Sequence, residues 1–146
     1  MILKKGFIIS LHALLGTRDS QTIRLWDKIK NLVVIILVDT DSTHNFLDQR
    51  VVKRFGIHTK SVNALSVSVA NGDKIWVTKL YSKVQWESGG VHQQTDCLVL
   101  PLKGCDMVLG IQRMKDLVIW DFMALTMRFT IDNQWVTLYG IATGRV

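Results

Sequence analysis

The residues best placed to do chemistry stand together at Asp39-Thr40-Asp41-Ser42. A carboxylate ends an apolar run, a hydroxyl follows at once, and a second hydroxyl comes two positions later. A carboxylate held among hydroxyls is equipment for general acid–base catalysis. The same tetrad also suits a strand-end turn in which Asp and Ser bond nearby backbone, and taken alone that is its commoner use. Other patterns are weaker. His44 and His58 have no Ser or Cys partner at a telling spacing, so a Cys–His nucleophile is disfavoured. Cys97 and Cys105 flank a loop, and no Cys/His cluster has zinc spacing. Asp96, Asp106 and Asp121 adjoin apolar runs without the hydroxyl pattern; Asp121 reads as a strand-end structural residue.

The element that delivers Asp39 is the run from Leu32 to Val38, rich in β-branched residues and too short for a long helix. It predicts a strand buried on both faces. The dominant period along the chain is two. Ile23, Leu25, Asp27 and Ile29 alternate with Thr22, Arg24, Trp26 and Lys28. Further strands are predicted near Phe7–Leu15, Leu65–Ala70, Lys74–Tyr81, Gln85–Glu87, Thr95–Leu100, Leu125–Ile131 and Trp135–Tyr139. Asn71-Gly72 predicts a hairpin, because both residues tolerate positive φ. Asp48 is placed to cap a short helix in which Val51, Val52 and Phe55 share a face and Gly56 ends it. A second short helix is predicted over Ile111–Asp116. The sum is an all-β domain with one or two short helices.

Composition agrees. The chain has 146 residues, 48% hydrophobic and 21% charged, enough for one domain with a real core. It carries 18 Lys plus Arg against 12 Asp plus Glu, hence a net charge of +6. The basic residues are dispersed, and the five Trp fall on separate strands, reading as core or rim. That argues against a nucleic-acid stripe. No apolar run approaches the roughly 20 residues of a membrane-crossing helix. Ser10 and His12 interrupt the apolar N-terminal stretch, which disfavours a secretion signal. The two cysteines read as buried or free thiols of a reducing, cytoplasmic setting.

Five blocks in order carry a resemblance. They are Ile9-Ser10-Leu11-His12-Ala13-Leu14, Leu37-Val38-Asp39-Thr40-x-Ser42-Thr43-His44-Asn45-Phe46, Val69-Ala70-Asn71-Gly72, Asp106-Met107-Val108-Leu109-Gly110-Ile111-Gln112, and Trp120-Asp121-Phe122. Over about Ile9 to Ile141 the sequence resembles the retropepsin-like aspartic proteases, specifically the protease domain of plant gypsy-type LTR retrotransposon polyproteins. The resemblance implies a small closed β barrel with a flap hairpin. It places an N-terminal extension and first strand at 1–20, the protease domain at 21–141 and a tail at 142–146.

It also implies roles. The chain would be half of a homodimeric endopeptidase that cuts its own polyprotein, in the cytoplasm or in virus-like particles, with no cofactor, metal, nucleic acid or membrane as partner. Asp39 would be catalytic, and Thr40, Asp41 and Ser42 would form the active-site loop. Ala70, Asn71, Gly72 and Asp73 would form the flap. Thr43, His44, Val108, Leu109 and Gly110 would line the substrate. Three positions depart from the family: Asp41 stands at its glycine, Arg113 at a large Trp, and Asp27 at a turn glycine. The segment Met114–Ile119 is about two residues short. The alternative reading is therefore a catalytically inactive, degenerate barrel module that dimerises or binds peptide.

Overall fold

Alternating burial along two adjoining strands sets the architecture. In β2 (Thr22–Ile29), Ile23, Leu25 and Ile29 are buried while Trp26 and Lys28 face out. In β3 (Leu32–Asp39) every residue from Ile36 to Asp39 is buried, so both faces of its second half are covered. The computed structural model describes residues 7–9, 22–56, 58–69, 72–88, 91–111, 118–121, 123–131 and 133–141. The other elements are β1 (Phe7–Ile9), β4 (Phe46–Asp48), α1 (Gln49–Phe55), β5 (Lys60–Val69), β6 (Lys74–Ser88), β7 (Val91–Leu100), β8 (Met107–Gly110), β9 (Ile119–Asp121), β10 (Thr126–Ile131) and β11 (Gln134–Tyr139).

Eight strands form one sheet in the order β1-β5-β6-β2-β3-β8-β4-β7, and β7 pairs back onto β6. The strands from β6 round to β7 therefore close into a ring, as the expected barrel requires. The fold is all-β apart from α1. β3 and β8 run parallel, with Asp39 opposite Gly110. Together they separate two apolar clusters. Ile36, Val38, Met107 and Leu109 face one, which also takes Trp86 and the β10–β11 residues Met127, Phe129, Val136 and Leu138. Leu37 and Val108 face the other, with Ile9, Phe46, Val67, Val77 and Leu98. A second sheet of β11-β10-β9 covers the first cluster.

Some elements differ from the sequence-based expectation. The strands expected at Lys74–Tyr81 and Gln85–Glu87 are one strand, β6, with a register shift between Tyr81 and Val84. Lys83 takes φ 59 there, and Asp96 accepts its N–H at 2.8 Å and the Ser82 hydroxyl at 3.3 Å. The irregularity is thus braced, and the strand continues through it. Asp48 sits at the cap position of α1 but does not cap it. Its carboxylate instead accepts the N–H of Leu102 at 3.1 Å and pairs with Arg50. Gly56 ends the helix in the left-handed region, φ 61, as expected. Trp86 is core, whereas Trp26, Trp76 and Trp135 are exposed. The second helix, expected over Ile111–Asp116, lies outside the described residues but for Ile111, as does most of the first expected strand. Among the described residues no helix is long and apolar enough to cross a membrane.

Asp27 is the anomaly in this core. It occupies an inward position of β2 and is buried. One carboxylate oxygen accepts the Lys28 N–H at 2.8 Å; the other has no partner among the described residues. Burial raises its pKa to about 6, aided by the charge of Glu87 and opposed by backbone hydrogen bonds from Lys28 and Glu87. The unfolded chain ionises near the ordinary carboxylate value, so between about pH 4 and 6 the folded state holds the extra proton. Stability therefore falls as pH rises through that window and is flat above it. The loss is on the order of 3 kcal/mol. Asp27→Asn removes it, so urea unfolding of the variant should show a flatter pH profile between 4 and 6 than the parent.

Candidate active site

Asp39 ends β3 at the seam between the two clusters and is fully buried. A buried carboxylate must find donors or carry a large desolvation cost. Ser42 supplies one: its hydroxyl donates to Asp39 Oδ2 at 2.6 Å. The backbone N–H of Asp41 supplies another, to Oδ1 at 3.0 Å. The Asp39 carbonyl accepts the N–H of Ile111 at 3.0 Å, so the loop after β8 grips the strand end from below. Thr40 and Ser42 are buried, and Asp41 is half-buried. The predicted loop residues are therefore together, with Ser42 on the catalytic candidate itself.

The rest of the loop is held by partners that the sequence did not reveal. Asn45 Oδ1 accepts the N–H of Gly110 at 3.0 Å, tying the loop to β8. Thr43 is buried and bonds the N-terminal strand: Ile8 N–H donates to its hydroxyl at 2.8 Å, and its own N–H donates to Ile8 at 2.9 Å. His44 Nδ1 lies 2.7 Å from the Thr43 hydroxyl, and its ring packs 4.3 Å from the Phe7 ring. Asp106 accepts the Ile35 N–H at 2.8 Å and fixes the start of β8 against β3. Thr43, His44 and Asn45 stand in the block after Asp39 and Asp106 opens the block before Gly110; which partner each would take depends on strand pairing that no local pattern encodes.

Of the residues expected to line substrate, His44 is half-buried at the loop, whereas Val108 and Leu109 are enclosed in the two clusters in the single chain. Of the expected flap, Ala70 and Asn71 lie outside the described residues. Its base is a closed turn between β5 and β6, with Gly72 N–H donating to the Val69 carbonyl at 2.8 Å and Val69 N–H to Asp73 at 2.7 Å. Gly72 has φ 96, a conformation that a residue with a Cβ adopts at a cost.

Other chemistries gain no support. Cys97 and Cys105 are free and buried, and burial pushes both thiols up to about 12. Such thiols stay protonated and unreactive. Asp121 ends β9 and accepts two backbone N–H groups of the following turn at 3.0 Å, as a structural residue would. Among the described residues no His, Cys, Asp and Glu group could hold a metal ion.

Gly110 is where the packing is tightest. A Cβ there would overlap the His44 carbonyl oxygen and lie 2.6 Å from that of Ser42. Both obstacles are backbone, so neither yields cheaply. Gly110→Ala should destabilise the domain by about 3 kcal/mol, the upper range for overpacking. Urea unfolding checks this; a change under about 0.5 kcal/mol would show that the loop does not depend on that approach.

Comparison with known proteins adds the following. The family model described as Aspartyl protease matches residues 28–112, more than half of the chain, and spans both Asp39 and Gly110. Among solved structures, the retroviral protease-like domain of Ddi1 from Leishmania major aligns with a TM-score of 0.55 at 14% identity, covering 81% of this chain and 94% of that one. At that identity the likeness establishes the fold. A retropepsin-like aspartic protease from Rickettsia conorii aligns with a TM-score of 0.48 and 14% identity over 86% of each chain. EIAV protease complexed with the inhibitor HBY-793 aligns with a TM-score of 0.48 and 18% identity over 67% of this chain and 89% of that one. Comparison with curated proteins gave no match. With its strand-end aspartate in the matched segment and a retropepsin-like fold around it, the chain belongs to the aspartyl protease family.

Proposed function

We propose that two copies of this chain form an aspartic endopeptidase of the retropepsin type, cutting the polyprotein of a plant gypsy-type LTR retrotransposon in the cytoplasm or in virus-like particles. The observation that carries the reading is the Ser42 hydroxyl on Asp39 Oδ2, with the Asp41 N–H on the other oxygen. It orients one carboxylate per chain. The sequence holds one Asp-Thr-x-Ser, so a second copy must supply the other. Across a two-fold axis each protomer would present Asp39 to its partner. Carboxylates about 3 Å apart cannot both ionise, so the pair shares a proton. The ionised member takes a proton from water as the water attacks, and the neutral member polarises the scissile carbonyl. The hairpin from Val69 to Lys74 would close over the peptide and exclude water.

This reading is tested by a peptide-cleavage assay from acid to neutral pH with a statin-type inhibitor as control. Asp39→Asn should cut the rate by about a thousandfold or more while leaving the melting profile intact, because it removes the general base. The active species should sediment as a dimer. Inhibitor-sensitive cleavage that survives Asp39→Asn, or peptidase activity in a monomer, would refute the assignment.

One observation favours the second reading, an inactive module that only dimerises or binds peptide. Asp41 puts a half-buried carboxylate two residues from Asp39, where the resembled family carries glycine. In a dimer, four carboxylates would crowd one axis. At an effective dielectric of about 20, like charges roughly 4 Å apart repel by about 4 kcal/mol. The repulsion vanishes when the carboxylates are protonated and grows as pH rises through the carboxylate range. Asp41→Gly should therefore raise dimer affinity and cleavage, most of all near neutral pH. Sedimentation and the cleavage assay, each at acid and neutral pH, check this. No change at either pH would remove Asp41 as the cause of any defect.

A further inference from the structure

Beyond the Leu80–Leu98 pair, β6 and β7 separate. Between them and α1 opens a groove of about 250 Å³ whose lining includes Gln49, Lys53, Trp76, Lys79, Leu100 and Pro101. All four consecutive residues from Trp76 to Lys79 line it. Side chains alternate between the two faces of a strand, so four in a row meet one space only along a strand's edge. That edge is open. β5 pairs with β6 from Lys74 to Leu80, and β7 joins the opposite edge only from Leu80. Pro101, on the far wall, has no N–H with which to extend the ladder.

We propose that this groove binds an extended, acidic peptide segment of a partner protein. The segment's backbone would add to the open edge of β6, its carboxylates would meet Lys53 and Lys79, and an apolar side chain would rest on Trp76. Main-chain pairing supplies affinity in such strand addition, and side-chain pockets supply selectivity. Charge points to acids. Neither Lys53 nor Lys79 pairs with a carboxylate among the described residues, and no Asp or Glu lines the groove. Trp76 is 66% exposed on its rim, with Val52, Val77 and Val99 alongside. Two cations in a lining of mixed polar and apolar residues do not make a phosphate track, which disfavours nucleic acid. Lysines on an open edge also deter a second neutral strand from pairing there. An acidic strand reverses that effect. The groove makes no use of Asp39, so its test stands apart from the peptidase reading.

The probe is a fluorescein-labelled hexapeptide, Glu-Asp-Val-Leu-Glu-Asp, titrated with the full chain by fluorescence anisotropy; its twin carries Gln and Asn in place of Glu and Asp. The acidic peptide should bind at least tenfold more tightly than the twin and weaken as salt rises. Lys53→Glu with Lys79→Glu should reduce its affinity at least tenfold without moving the melting temperature. Should that pair of reversals disturb folding, Lys53→Gln with Lys79→Gln should still reduce affinity severalfold. Trp76→Ala should weaken both peptides. Equal binding of the two peptides, or an affinity untouched by either lysine pair, would overturn the proposal. So would a single-stranded RNA oligomer that displaces the peptide at lower concentration.

Discussion

A carboxylate must sit fully buried at the end of a strand that is itself covered on both faces, and the fold is arranged around that demand. Burial without donors would be costly, so Asp39 takes the Ser42 hydroxyl and the Asp41 N–H on its two oxygens. Its carbonyl takes the N–H of Ile111. This last bond places β8 directly beside β3, and Gly110 can fit there only because it has no side chain to meet the Ser42 and His44 carbonyls. With β3 and β8 side by side, alternate residues of each must face opposite ways. Two apolar clusters, not one, are the result.

Aspartates recur as braces throughout. Asp48 holds Leu102, Asp106 holds Ile35, Asp96 holds Lys83, and Asp121 holds the turn after β9, each by accepting a backbone N–H. Acidic groups engaged in this way are tied to backbone, for Asp48 and Asp106 to backbone far off in sequence. The excess of basic groups is left to the surface, and the groove beside β6 carries two of them with no acid in its lining.

Local features of this design were legible in the sequence. The alternation in β2, the apolar run of β3 and the aspartate at its end follow from side-chain period and polarity alone. The turn at Gly72 and the helix stop at Gly56 follow from backbone freedom. What the sequence hid was partner choice. β4 is three residues long and has no pattern of its own; it exists because β7 and β8 flank it. Asp48 looked like a helix cap, since nothing local shows that Leu102 will come within reach. The break expected in β6 reflected a real change of register, but Asp96 from the next strand keeps the strand continuous. Thr43 and Ile8 meet only because β1 lies beside β5.

The parallel pairing of β3 with β8 has a consequence for how the chain reaches this state. The bond from Ile35 to Asp106 closes a separation of 71 residues, and β1 finds β5 across a comparable stretch. Contacts so far apart in sequence cost loop entropy before they return any stabilisation, and they slow folding. Until β8 arrives, the edge of β3 beside Asp39 has no neighbour, and the apolar face of β3 has no cover. The interval in which this chain is most prone to aggregate is therefore the wait for Met107 to Gly110. On a ribosome that wait lasts until the roughly 70 residues after β3 have followed it out.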